Sequence, residues 1–367
     1  MHYASRLEAV RTLMVGRGLD ILLVSQPNNR RYLTGFPAHE GSVGESAGWL
    51  VVAPAVGYFV TTFLYYDAVV GQVHNVTPIK AQRRLIDSVG DVLKSVPGAT
   101  IGFEASWVTC DVYSELEQQL DSGRTMTSSD GLVEELREVK DEEERQVIQR
   151  AIDLTDRVYT EVIGQLRPGQ TEREIAWVLE RGLREGGAEG MAFGPSVAFG
   201  ANSAVPHHEP TDYRLAVGDP VWIDMGALLD GYCADLTRSF AFGEASAEYE
   251  RIYDVVLRAQ HAAIDGMRAG VPAKTIDALA RDVVTAAGYG DDFGHAVGHG
   301  IGLAIHEAPR LGSTSEAPLR VGEVVTVEPG IYRAGWGGIR IEDVAWVRQS
   351  GVDVLSSAPK QLIVQSS

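Results

Sequence analysis

Four carboxylates and one imidazole in the second half of the chain stand in apolar or glycine-rich stretches that favour burial. The stretches are IDMGALLDGYCADLT (223–237), GHAVGHGIGLAIHEAPR (294–310), VEPG (327–330) and GIRIED (338–343), and the residues are Asp224, Asp235, His299, Glu328 and Glu342. Such side chains are almost never fully buried unless they are paired or coordinate a metal. The neighbouring sequence offers no equal set of Lys or Arg residues to pair with all four carboxylates. The pattern therefore predicts a divalent metal site.

The donor types indicate which ions suit this site. Five ligands dominated by carboxylate exceed what a single tetrahedral ion requires, so two ions are favoured over one. Carboxylate and imidazole bind hard or borderline ions, and the set contains no thiolate to select a softer one. We expect two divalent ions per subunit, Mn²⁺ first, with Co²⁺, Fe²⁺ and Zn²⁺ as alternatives. Each residue taken singly is more often a cap, a turn former or a structural hydrogen-bonding group, so the prediction depends on the whole set.

A predicted hairpin brings two of the carboxylates together. Asp230–Gly231 is a favoured two-residue turn between strands at 220–225 and 232–240. Positions whose numbers sum to 461 then lie opposite each other, so Thr237 faces Asp224 and Asp235 is its diagonal neighbour. Both aspartates share one face of the hairpin unless a bulge shifts the register.

The remaining elements indicate two domains. In the first segment, helices at 5–17 and 85–96 alternate with strands at 21–24, 49–53, 58–62 and 100–104, which is typical of a small α/β domain. A charged stretch at 132–144 then leads into one long helix, and Thr171 with Glu174 is spaced as a capping box for the next helix. Strands are expected at 193–199, 323–332, 338–347 and 352–356. We place the domains at 1–128 and 129–367 within an α/β two-domain fold.

Composition excludes several classes of function. The chain has 367 residues, 45% of them apolar, and a formal net charge of −18, which argues against a nucleic-acid partner. No apolar run is long enough to span a bilayer, and the N-terminus lacks a basic segment followed by an apolar core. The two cysteines, Cys110 and Cys233, lie far apart, which agrees with a reducing compartment. We expect a cytoplasmic protein without a membrane partner.

The motifs resemble those of the pita-bread metallopeptidases, the family of methionine aminopeptidase, aminopeptidase P and prolidase. The matching segments are 223–240, 294–307, 324–332 and 337–347, preceded by LREVKDEEE at 136–144. The resemblance implies a C-terminal pita-bread α+β domain in which the five residues bind two ions and Asp235 and Glu342 bridge both. RRYLTGF at 30–36 is similar to the creatinase-type N-terminal domain of aminopeptidase P and prolidase. That domain implies cleavage of Xaa-Pro bonds.

The resemblance also implies catalytic groups. Glu328 would take a proton from water and pass it to the proline nitrogen. His207, seventeen residues before Asp224, and His306, seven after His299, match histidines that hydrogen-bond the peptide and the oxyanion. The adjacent His208 competes with His207 for this role.

Two arginines complete the predicted substrate contacts. Arg310 and Arg340 could bind a substrate carboxylate with bidentate geometry. The alternative is that they form salt bridges that orient the ligands, particularly Arg340, which stands two residues before Glu342. Thr237 and His295 are expected to contact and orient the metal ligands without binding the ions themselves.

We therefore expect an Xaa-Pro dipeptidase (prolidase), because the ligand spacings of 11, 64, 29 and 14 residues resemble those of compact prolidases. The expected substrate is a small peptide with proline at the second position. Aminopeptidase P is the first alternative, and a creatinase-like C–N hydrolase or a metal-dependent lyase is the second. Residues 62–66 read TFLYY, without the arginine that many relatives carry at this strand end. Family precedent implies a homodimer.

Overall fold

The computed structural model describes residues 2–37, 40 and 45–365. The chain divides into two compact units, Met1–Arg137 and Glu138–Ser367. None of the helices among the described residues combines the length and apolar content needed to cross a membrane.

The first unit is a mixed sheet with helices around it. Its elements are α1 (Tyr3–Gly16), β1 (Ile21–Val24), α2 (Pro27–Thr34), β2 (Trp49–Val52), β3 (Gly57–Thr61), α3 (Tyr66–Gln72), β4 (Thr77–Lys80), α4 (Leu85–Ser95), β5 (Thr100–Phe103), α5 (Cys110–Gln119), β6 (Thr125–Ser128) and α6 (Leu132–Glu138). The six strands run in the order β4-β3-β2-β1-β5-β6. Strand β1 is buried along its whole length, as a short continuous apolar run in a sheet centre requires. The predicted α/β alternation is present, although α2, α3, α5, β4 and β6 were not predicted.

The sequence placed the domain boundary after residue 128, whereas the compact unit extends to Arg137. Helix α6 accounts for this difference in the boundary, because it forms hydrogen bonds with residues of the first unit. Arg137 Nη1 donates to Asn29 Oδ1 at 2.7 Å, and Tyr32 OH donates to the Leu136 carbonyl at 3.2 Å. The single helix expected across this stretch is also interrupted, because Asp141 caps a new helix in a capping box with Glu144.

Through residue 365, the second unit combines four α-helices with several small sheets. Its elements are α7 (Glu142–Ile163), α8 (Glu172–Glu185), β7 (Gly190–Met191), β8 (Ser196–Phe199), β9 (Pro220–Met225), β10 (Ala227–Leu229), β11 (Tyr232–Cys233), β12 (Leu236–Phe242), α9 (Ala247–Gly266), α10 (Ala273–Ala286), β13 (Gly298–Gly300), β14 (Glu307–Leu311), β15 (Val324–Val327), β16 (Gly330–Arg333), β17 (Gly337–Arg340), β18 (Asp343–Val347), β19 (Val352–Val354) and β20 (Ile363–Val364). The sheets have the orders β20-β12-β9-β8, β14-β13-β15-β18-β19, β11-β10-β7 and β16-β17. Helices α9 and α10 cover a core of Ile252, Val256, Ile276, Val325 and Ile339.

The predicted hairpin register is confirmed. Asp224 pairs with Thr237 across β9 and β12, and Leu229 pairs with Tyr232 across β10 and β11. The turn residues Asp230 and Gly231 have φ of 48° and 80°, as a type I′ turn requires. The predicted capping box of Thr171 and Glu174 is also present at the start of α8.

The strand predicted at 232–240 is divided into β11 and β12, with Asp235 in the gap, and two further strands predicted as continuous are each broken in the middle. The stretch expected at 323–332 divides into β15 and β16, and that at 338–347 divides into β17 and β18. Each break carries a predicted ligand, Glu328 in the first and Glu342 in the second. Pro329 explains the first break, because proline has no N–H to donate to a ladder. The chain therefore leaves one sheet and enters another at both carboxylates.

Candidate active site

All nine predicted site residues line one cavity of the second unit, with a volume of about 1240 Å³. They are His207, Asp224, Asp235, His299, His306, Arg310, Glu328, Arg340 and Glu342. Asp224 lies on β9, His299 on β13, and Asp235, Glu328 and Glu342 lie in the breaks between strands. Residues up to 135 positions apart in the sequence thus meet because strands from different sheets end at the same place.

The predicted ligands form a close cluster. Asp235, His299 and Glu342 each offer one ligand atom, and these atoms lie within 4.8 Å of one another. His299 Nε2 lies 3.3 Å from Glu328 Oε1 and 3.6 Å from Asp235 Oδ2. Asp224 lies on the same side, where Arg340 Nη2 donates to its Oδ2 at 2.7 Å.

The orientation of His299 is fixed by its surroundings. Its Nδ1 lies 3.0 Å from the Gly300 carbonyl oxygen, which can only accept, so Nδ1 carries the proton in the neutral ring. Nε2 is then a lone-pair donor aimed at the carboxylates. The flanking glycines are required by close strand contacts, because a Cβ at Gly298 would overlap the Thr326 carbonyl oxygen and one at Gly300 the Ala308 carbonyl oxygen.

Burial and mutual repulsion raise the pKa values of three of the four carboxyl groups. Burial, with Glu342 and Asp224 close by, raises the pKa of Asp235 well above its ordinary value. Burial and the nearby Glu328 and Asp224 do the same for the pKa of Glu342. Burial raises the pKa of Glu328 to about 7 and is opposed by the charge of Arg340. Burial also lowers the pKa of His299, which keeps its ring neutral.

This electrostatic arrangement fits a divalent cation. Asp224 Oδ1 and Glu342 Oε1 are buried and have no hydrogen-bond partner within the described parts of the chain. A buried carboxylate oxygen without a partner is costly, and a metal ion supplies both the missing partner and the missing positive charge. Four carboxylates and an unprotonated imidazole are ligands suited to hard or borderline divalent ions.

Arg340 is bonded within the protein, as the salt-bridge alternative predicted. Besides Asp224, its guanidinium donates to Thr237 Oγ1 at 2.9 Å, to the Pro206 carbonyl at 3.1 Å and to Tyr332 OH at 2.8 Å. Four of its five N–H groups are thereby used. Because the side chain is also only 5% exposed, it orients Asp224 and has little capacity left for a substrate carboxylate.

Arg310 differs from Arg340 in all these respects. It is exposed where it lines the cavity, and it makes no ion pair with any described residue. Its strand position is opposite His299. A guanidinium of this kind can donate hydrogen bonds to the carboxylate of a ligand in the cavity.

The two adjacent histidines have different surroundings. His208 Nε2 donates to Glu172 Oε2 at 2.8 Å, whereas His207 is exposed in the cavity. The rings of His299 and His306 are 4.5 Å apart and meet edge to face. Burial and the neighbouring His299 lower the pKa of His306, which favours a neutral ring.

The structure adds residues that the sequence did not single out. Tyr332, at the end of the segment 324–332, lines the cavity and links Arg340 to His295, whose Nε2 lies 3.2 Å from the phenol oxygen. Burial lowers the pKa of His295 to about 4. Thr326 Oγ1 accepts from His299 N at 3.0 Å and donates to Glu328 Oε1 at 3.2 Å. A threonine two residues before a predicted ligand is the one signal that the sequence offered for this contact.

Comparison with known proteins identifies the family. The model of metallopeptidase family M24 matches residues 146–349, and that of the creatinase/prolidase N-terminal domain matches residues 6–139. The chain belongs to metallopeptidase family M24. The predicted family and two-domain fold class are thus confirmed, and this M24 protein is a metal-dependent peptidase.

Relatives of this M24 protein match along nearly the whole chain. It is 32% identical to the Xaa-Pro dipeptidase of Pyrococcus furiosus over 98% of this chain and 99% of that protein. An Xaa-Pro dipeptidase structure from Bacillus anthracis has a TM-score of 0.93 and 35% identity, covering 98% of this chain and 99% of the other. An X-Pro aminopeptidase structure from Thermotoga maritima has a TM-score of 0.87 and 33% identity, covering 95% and 98%.

Proposed function

We propose that this M24 protein is an Xaa-Pro dipeptidase that hydrolyses dipeptides with proline at the second position. The relatives from Pyrococcus furiosus and Bacillus anthracis support the substrate class. The observation that carries the choice of a dipeptide is Arg310, an exposed guanidinium in the cavity with no ion-pair partner among the described residues. A dipeptide places its C-terminal carboxylate one residue from the scissile bond, so an arginine close to the metal ligands can bind it.

Two divalent ions would be held by Asp224, Asp235, His299, Glu328 and Glu342. Asp235 and Glu342 would hold the ions together with His299, because one ligand atom from each of these three residues lies in a single cluster. Mn²⁺ is the first candidate, with Co²⁺, Fe²⁺ and Zn²⁺ as alternatives. When bound, the ions would lower the pKa of water and polarise the scissile carbonyl.

The protein's own side chains would position the substrate and transfer the proton. Glu328 would accept the proton of the attacking water and give it to the proline nitrogen. His306 and His207, which both line the cavity, would hydrogen-bond the carbonyl oxygen and the peptide. Arg310 would bind the C-terminal carboxylate, and Arg340 would hold Asp224 in place.

The second candidate is an Xaa-Pro aminopeptidase, favoured by the similarity to the Thermotoga maritima structure. The test compares Ala-Pro with Ala-Pro-Ala, with and without chelator, for the wild type and for Arg310→Met. A dipeptidase should cleave Ala-Pro in preference, and Arg310→Met should raise the KM for Ala-Pro by about 10- to 100-fold, since a hydrogen-bonded charge pair contributes about 1.5–3 kcal/mol. Faster cleavage of Ala-Pro-Ala, with Arg310→Met unchanged on Ala-Pro, would favour the aminopeptidase.

Metal without either peptidase activity would favour the C–N hydrolase or the lyase. The homodimer and the cytoplasmic location stay predictions of the sequence, and light scattering of the purified protein would test the first.

A further inference from the structure

Glu172, the first residue of α8, has a fully buried carboxylate that accepts from five donors. Its Oε1 accepts from Phe199 N at 2.8 Å and from Asn202 Nδ2 at 3.0 Å. Its Oε2 accepts from Thr211 N at 2.8 Å, Thr211 Oγ1 at 2.6 Å and His208 Nε2 at 2.8 Å. Every one of these donors belongs to the segment 199–211, which we call the His207 loop.

The loop carries His207 between two fixed neighbours. On one side, the Pro206 carbonyl accepts from Arg340 Nη1 at 3.1 Å. On the other, the His208 ring is bonded to Glu172 and its carbonyl accepts from Ser196 Oγ. The described lining of the cavity contains His207 and His208 but not Glu172. The hydrogen bonds of the Glu172 carboxylate therefore connect it to the cavity through the loop.

The charge of Glu172 is what the donors select. Burial raises the pKa of its carboxyl, but the hydrogen bonds from His208, Thr211, Asn202 and Phe199 outweigh this and hold the pKa below its usual value. An ionised carboxylate only accepts hydrogen bonds, whereas a glutamine amide would direct two N–H groups at surrounding donors. Glu172→Gln keeps the shape of the side chain, but its amide N–H groups would face hydrogen-bond donors instead of acceptors.

We propose that Glu172 is a positioning residue that sets the place of His207 at the substrate by anchoring both ends of the His207 loop. This inference rests on the proposed function, because it takes His207 as a substrate-binding group. It assigns catalytic importance to a carboxylate at the start of a helix that neither touches the cavity nor belongs to the predicted ligand set.

The test is a double-mutant cycle between Glu172→Gln and His207→Ala, measured on Ala-Pro at saturating Mn²⁺. Glu172→Gln should lower kcat/KM by about 10- to 100-fold, as expected for a catalytic group displaced by about 1 Å. The metal content should be unchanged. In the His207→Ala background, Glu172→Gln should lower kcat/KM by less than about threefold, because the imidazole that Glu172 positions has already been removed.

Two further variants make the test specific. Glu174 lies two residues further along the same helix, and its hydrogen bonds with the described residues are made to its own cap at Thr171, so Glu174→Gln should leave kcat/KM unchanged. His208→Ala removes one of the five donors and should cause a smaller loss, which His208→Gln should restore because its amide can still donate to Glu172. These milder variants carry the test if Glu172→Gln does not fold.

The outcomes separate this inference from the proposed function. Equal losses from Glu172→Gln in the wild-type and His207→Ala backgrounds, or no loss in either, would overturn the positioning role. If the wild-type protein cleaves no Xaa-Pro peptide, the proposed function fails. Amide hydrogen exchange can then still test whether Glu172 anchors the His207 loop. Exchange in 199–211 should then rise in Glu172→Gln but not in Glu174→Gln, and unchanged exchange would overturn the inference.

Discussion

Thr237→Val should weaken metal binding, because the Thr237 hydroxyl joins two charged groups behind the carboxylate cluster. Its Oγ1 donates to Glu342 Oε2 at 2.8 Å and accepts from Arg340 Nε at 2.9 Å, and the residue is fully buried. Valine has nearly the same shape but can make neither bond. Glu342 would lose one of the contacts that aim its other oxygen, which has no partner among the described residues, at a metal ion.

The size of the effect follows from these two contacts. A hydrogen bond to a charged group contributes about 1.5–3 kcal/mol, and loss of a partner behind a metal ligand typically lowers affinity by about 10- to 100-fold. We therefore expect Thr237→Val to raise the dissociation constant for Mn²⁺ by about that factor, or about 1.4–2.7 kcal/mol. Calorimetric titration of the metal-free protein with MnCl₂ measures this directly.

Two controls isolate the hydroxyl. Thr237→Ser keeps it and should retain most of the affinity, whereas Thr160→Val makes the same change on the exposed face of α7 and should have no effect. An unchanged Mn²⁺ affinity in Thr237→Val would refute the view that Glu342 is a ligand oriented by this hydroxyl.

Three other changes have expected outcomes. Glu328→Gln should lower kcat by about 10²- to 10⁴-fold if this group transfers the proton, whereas Glu209→Gln, an exposed carboxylate on the same cavity, should not. Lys140→Met should lower the free energy of unfolding by about 3–5 kcal/mol, because removing one partner of a buried ion pair typically costs this much and the buried Lys140 Nζ lies 3.1 Å from Glu307 Oε2. Burial raises the pKa of Glu104 to about 6 from 4.5, so the folded state binds this proton more tightly and stability should fall by about 2 kcal/mol as pH rises through that interval.

Each of these has a contradicting result. A Glu328→Gln enzyme with wild-type kcat would remove that residue from proton transfer. For Lys140, the control is Lys274→Met, whose partner Glu316 is 75% exposed, and equal losses in both variants would contradict the buried pair. For Glu104, chemical unfolding of Glu104→Gln should lack the decline between pH 4.5 and 6 that the wild type shows; parallel pH profiles would contradict it.

The sequence predicted the parts of the site that depend on local rules. The turn at Asp230–Gly231 has its own backbone signature, and the period of two in a strand then determines which residues face Asp224. The capping box at Thr171 is equally local, because its partners are three residues apart. These features were predicted correctly because few other conformations satisfy the same short segment.

The contacts that the sequence did not reveal depend on distant residues. Glu172 is bonded to residues 27 to 39 positions away, and no spacing rule relates them. The breaks at Glu328 and Glu342 were missed because the apolar pattern continues on both sides of each break, so the period of two predicts one long strand. The residues adjacent in sequence do not reveal that the chain pairs with a different sheet after the break.

Those breaks explain how buried carboxylates can be held without unsatisfied backbone groups. At each break the chain changes sheets, yet its N–H groups stay bonded: Glu328 N donates to the Val297 carbonyl at 2.8 Å and Glu342 N to the Thr237 carbonyl at 3.1 Å. Each carboxylate is thereby fixed at a point where the backbone is anchored to a neighbouring strand. Groups on rigid strands need little reordering when a ligand binds. The unfavourable free energy of bringing four carboxylates together is therefore offset during folding, by the packing of the core that covers these sheets.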